Sequence, residues 1–125
     1  MGDRGQIKLV GTDGDNSGDI FFYTHWGATD LPATLADALD RGRGRWDDTC
    51  YLNRIIFSEM IKYHILGDTG YGICTNEHGD TWRMIEVNHT DQSVSIFEKD
   101  EFDSWELHGR YDYQEFINEF VGKHV

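Results

Sequence analysis

The chain has 125 residues, of which 38% are hydrophobic and 14% aromatic, and its formal net charge is −12. That length suits one domain, and the apolar share is enough to bury a core without disulfides or metals, which excludes a disordered chain. No run approaches the roughly 18 apolar residues that a transmembrane helix needs.

Gln6 to Val10 alternates around Ile7 and Leu9 and predicts a first strand. Turn formers from Thr12 to Asp19 follow, and then a β-branched and aromatic run from Ile20 to Trp26, so the pair reads as a hairpin with a long tip. Asp30 is placed to cap a helix with Pro32 in its first turn, and Leu31, Leu35, Ala38 and Leu39 keep helical spacing until Arg41-Gly42. Arg43-Gly44-Arg45 is expected as a loop. A second helix opens near Asp47 or Asp48, with Leu52, Ile55, Ile56, Met60 and Tyr63 on one face and its end before Gly67.

Gly70 to Thr75, Thr81 to Asn88 and Ser93 to Glu98 read as three further strands separated by polar turns, and Ser104 to His108 as a sixth. Asp112 with Glu115 three positions on forms a capping-box pattern, followed by a stripe of Tyr113, Phe116, Ile117, Phe120 and Val121. The order predicts an α+β fold. It is a single two-layer domain over residues 1–125, with a mainly antiparallel sheet of five or six strands and three helices on one face.

Fifteen Asp and eight Glu stand against four Lys and seven Arg. Asp-rich, Lys-poor acidity is the balance of a protein kept hydrated in molar salt, where charges are screened within a few ångströms. Imitation of nucleic-acid phosphates and ordinary acidity stay open beside this halophilic reading. A mimic should concentrate its charge, whereas these acids run from Asp3 to Glu119 with a denser stretch at Asp91–Glu106. The repulsive field disfavours direct nucleic-acid binding. Met1 to Gly5 shows no apolar signal region, and Cys50 and Cys74 form no CxxC pair and sit in apolar-periodic segments. The expectation is therefore a cytoplasmic protein with two small buried thiols and no membrane contact.

Motifs for chemistry are sparse. Asp13, Asp15, Ser17, Gly18 and Ile20 fit part of a calcium loop, but Thr24 stands where the bidentate Glu belongs, so a polar hairpin tip is expected instead. The six histidines show no HExxH, HxH or Cys/His pairing, and no metal or cofactor is expected. There is no nucleophile elbow, phosphate loop or dinucleotide fingerprint, so no catalytic residue is assigned. An enzyme would need His25 or His78 beside a carboxylate and a nucleophile in one cleft.

Arg41, Arg43 and Arg45 beside Trp46 and a helix start form a candidate ligand site for a nucleotide or phosphorylated ligand, with Trp26 and His25 as further candidates. Salt bridges to Asp47 and Asp48 are the competing structural role.

Phe22-Tyr23-Thr24-His25-Trp26-Gly27, Leu31-Pro32, Ala38-Leu39 and Arg45-Trp46-Asp47-Asp48 resemble a group of small uncharacterised bacterial, archaeal and phage-encoded proteins. Tyr51-Leu52, Arg54-Ile55-Ile56-Phe57, Met60, Gly70-Tyr71-Gly72-Ile73 and Tyr113-Gln114-Glu115-Phe116 continue the likeness. The resemblance implies no particular activity, cofactor or site residue. With the acidic composition, it leads to the expectation of a non-catalytic accessory protein of viral or prophage origin that binds a host protein; the alternative is a small-molecule binding module.

Overall fold

The computed structural model describes residues 2–14 and 18–125. Asp15 and Ser17 of the partial calcium pattern lie outside the described residues. Among these residues the elements are β1 (Gly5–Val10), β2 (Ile20–Thr24), α1 (Leu31–Arg41), α2 (Thr49–Ile61), β3 (Tyr71–Cys74), β4 (Arg83–Asn88), β5 (Ser93–Lys99), β6 (Trp105–Asp112) and α3 (Tyr113–Phe120). Arg43–Arg45 forms a 3₁₀ turn rather than an open loop.

The strands form one sheet in the order β3-β2-β1-β4-β5-β6. β1 and β4 run parallel, and every other neighbouring pair is antiparallel. The fold is therefore α+β with a mostly antiparallel, mixed sheet. The parallel pair arises because the 75–82 connection carries the chain from the β3 edge back to the middle of the sheet.

Alternation divides the sheet cleanly. Ile7, Leu9, Phe22, Ile85, Val87, Val94 and Ile96 join Leu35 and Leu39 of α1, Leu52 and Ile56 of α2, and Phe116 and Ile117 of α3 in one buried core. Each fully buried aliphatic side chain there contributes about 1.5–3 kcal/mol. On the other face, the 75–82 connection lies over the start of β1. Gln6, fully buried, donates from Nε2 to His78 O (2.9 Å) and Thr81 Oγ1 (2.7 Å) and accepts from His78 N (2.9 Å).

Several boundaries differ from the sequence expectation for local reasons. α2 ends at Ile61, so Tyr63 leaves the core stripe and is 83% exposed. β2 stops at Thr24, whose hydroxyl accepts from Gly27 N and turns the chain before Trp26. β6 extends to Asp112, where it still pairs with Ser93 of β5, and a bulge between Ile96 and Phe97 shifts its register and breaks the simple alternation. Val121 is exposed rather than part of the α3 stripe. The cysteines are not buried: Cys50 is exposed near the start of α2, and Cys74 is half-buried on the edge strand β3. No helix among the described residues is long and apolar enough to cross a membrane.

Candidate functional site

The six residues singled out from sequence do not form one site. α1 has 11 residues, so it holds its two ends about 16 Å apart. Trp26 and His25 precede it, whereas the arginines and Trp46 lie at and beyond its other end. Arg41 pairs with Glu59, Arg43 with Asp40 (2.9 Å) and Gln114 (2.6 Å), and Arg45 with Asp48 (3.8 Å). Asp47 accepts instead from Gln92 Nε2 at 2.8 Å. Trp46 donates from its indole to Leu39 O and sets its ring edge against Tyr113, which makes it a partly buried core flank. Each of the three guanidiniums thus has a carboxylate partner, although all three side chains stay exposed.

Trp26, by contrast, belongs to a partly exposed aromatic surface. Its ring lies over Gly70, whose φ of +94° and contact with the indole admit no side chain. Trp26 meets Tyr71 edge-on at 6.4 Å, and the Tyr71 ring stacks on His64 at 5.9 Å. His25 meets Trp26 edge-on and takes Arg4 Nε on its Nδ1 at 3.3 Å. The adjoining 62–70 connection exposes Tyr63, Ile65 and Leu66, the last at 94%, and Ile73 of β3 is also exposed.

A cleft of about 550 Å³ opens beside this surface, between the start of α1, the end of α2 and Tyr71. Asp30, Asp37 and Glu59 line it together with Lys62, His64 and His124. Asp30 sits at the α1 N-cap but makes no side-chain cap bond. Its carboxylate instead lies 2.6 Å from His124 Nδ1, and Asp37 lies 2.6 Å from His124 Nε2. Two acceptors on both ring nitrogens require an imidazolium, and these hydrogen bonds raise the His124 pKa above its ordinary value. Glu59 is buried in the α2 stripe and held by Arg41 and by Lys62 at 2.9 Å. Its Oε2 has the lysine as ion-pair partner without a well-directed hydrogen bond.

β3 and β6 close the two edges of the sheet differently. β6, Trp-Glu-Leu-His-Gly-Arg-Tyr-Asp, carries charge along its length, the usual protection against pairing with a second chain. β3, Tyr-Gly-Ile-Cys, has no charged residue and no proline, and among the described residues only β2 pairs with it.

A separate polar network is sealed inside. Asn53 donates to Thr12 Oγ1 (3.1 Å), which leaves Asn53 Oδ1 to accept from His89 Nε2 (2.6 Å). His89 Nδ1 is then the acceptor facing the Tyr113 hydroxyl at 3.4 Å. Burial lowers the His89 pKa to about 4 and, with the charge of Asp91, raises that of Tyr113. The ring is neutral and structural.

Among the described residues no group of three or more His, Cys, Asp or Glu side chains is placed to hold a metal ion. No family model, no curated protein and no solved structure matches the chain.

Proposed function

We propose that the chain is a non-catalytic binding protein that takes up an extended segment of a basic protein partner along β3. The carrying observation is the coincidence of an edge strand without charge or proline with the exposed side chains Trp26, Tyr63, Ile65, Leu66 and Ile73. Main-chain pairing with β3 would supply affinity, and alternate side chains of the segment would meet these apolar anchors. A formal charge of −12 selects a basic partner. Pairing of Arg41, Arg43, Arg45, Arg83 and Arg110 with carboxylates supports the same selection, because it leaves few cations to attract an acidic one. The cleft beside Tyr71 suits a cationic side chain of the segment, since its three carboxylates, Asp30, Asp37 and Glu59, outnumber the cations Lys62 and His124 that line it with them.

Panning a random peptide display library against the chain tests this reading. Selected peptides should combine lysine or arginine with aromatic or aliphatic residues, and they should lose binding to Leu66→Asp. Selection of acidic peptides, or equal binding to Leu66→Asp, refutes it. The cleft volume is itself in the range of small-ligand sites, which favours a second reading, capture of a free organic cation. Saturable binding of a simple alkylamine or guanidine that is indifferent to Leu66→Asp would support that one.

A further inference from the structure

On the sheet face opposite the helices, Cys74 Sγ lies 2.9 Å from His78 Nε2. A thiol and an imidazole in hydrogen-bond reach form the pair that generates a nucleophilic thiolate near neutral pH. The imidazole is held in place from two sides. Its ring packs on Tyr23 at 4.5 Å between centroids, and its main chain is clamped by the buried amide of Gln6, which accepts from His78 N and donates to His78 O. Tyr23 is fixed in turn, its hydroxyl 3.1 Å from His25 Nδ1. The thiol is half-buried and has two other acceptors nearby, Asn76 O at 3.3 Å and Phe21 O at 3.8 Å. Cys50, exposed near the start of α2, has no such imidazole partner among the described residues and serves as the internal comparison.

We infer that Cys74 and His78 form a thiol–imidazole pair that makes Cys74 a site of modification by low-molecular-weight disulfides. His78 Nε2 takes the Cys74 proton. The thiolate attacks one sulfur of the disulfide, a bond forms between Cys74 Sγ and that sulfur, and the original S–S bond breaks. The departing thiolate leaves with the electron pair and recovers the proton from the imidazolium. Cys74 is oxidised to a mixed disulfide while the leaving sulfur is reduced to a thiol, so no further oxidant is required.

The test follows the rate of Cys74 modification by 2,2′-dithiodipyridine, a neutral disulfide, in the intact chain by peptide mapping at pH 6 and pH 8. An unassisted thiol with a pKa of about 8.5 loses about 80-fold in thiolate between those values. The pair predicts a fall of less than about tenfold at Cys74. His78→Phe keeps a ring against Tyr23 but removes the base, and it should restore the steep fall, with far-UV circular dichroism reporting the fold. A steep fall at Cys74 in the unaltered chain overturns the inference without recourse to any variant. A shallow profile that survives His78→Phe overturns the role of His78.

Discussion

Acid should loosen this protein through one buried ring. His89 has a pKa of about 4 in the folded state because burial disfavours its charge, against an ordinary 6.5. Above pH 6.5 the ring is neutral in both states and contributes nothing to the pH dependence. Below that value the unfolded chain binds a proton that the folded chain refuses, so stability falls by about 1.4 kcal/mol per pH unit until the folded ring titrates near pH 4. Between pH 7.5 and pH 5 the full effect is about 2 kcal/mol, or about 1 kcal/mol where water partly screens the ring. Urea denaturation of the chain and of His89→Gln at both pH values isolates this contribution. Other groups titrate alike in the two proteins, and the difference between them should shift by about 1–2 kcal/mol in favour of the variant at pH 5. A difference that stays constant with pH would refute the neutral, buried role assigned to His89.

His124 should show the opposite sign. Asp30 and Asp37 raise its folded pKa, so its stabilisation is fully present below the unfolded value of 6.5 and is lost as pH rises through the folded one. The thermal midpoint of His124→Ala should therefore lie below that of the unaltered chain at pH 6, with the gap closing in alkali. Asp112 caps α3 by accepting from Glu115 N at 2.7 Å, and the Glu115 carboxylate accepts from Asp112 N at 2.8 Å. Asp112→Ala should cost about 1 kcal/mol in urea denaturation. Removing Arg41 and Lys62 together strands the buried Glu59 carboxylate and should cost about 3 kcal/mol, whereas Glu59→Leu should change stability by less than about 1 kcal/mol. Equal losses in those two variants would show that the ion pairs themselves, not burial of the charge, set the energetics.

Local rules carried much of the fold from the sequence. The capping box at Asp112, the stop at Arg41-Gly42 and the β1–β2 hairpin are all short-range features, and all three stand in the structure. Long-range geometry was not legible in the same way. The β1–β4 parallel pair depends on where the 75–82 connection crosses the sheet, which no local pattern encodes. In the arginine cluster the nearby Asp48 pairs with Arg45, whereas the partners of Arg43 and Arg41, Asp40 before the cluster and Glu59 on the next helix, were not legible from the local pattern. Glu59 did leave a signal, since it falls on the same helical face as Leu52, Ile56 and Met60. A carboxylate in that stripe demands cationic partners. Cys74 and His78 are four residues apart, but only the turn after β3 brings their side chains together. The cleft draws on α1, α2, β3 and His124, segments too far apart in sequence to announce a shared site.

Docking of a basic segment along β3 can be followed residue by residue in a ¹⁵N NMR titration of the chain with one of the selected peptides. Docking there should shift the resonances of Trp26, of Tyr63 to Cys74 and of Asp30 and Asp37. Shifts confined to the Arg41–Asp48 stretch or to β6 would contradict it.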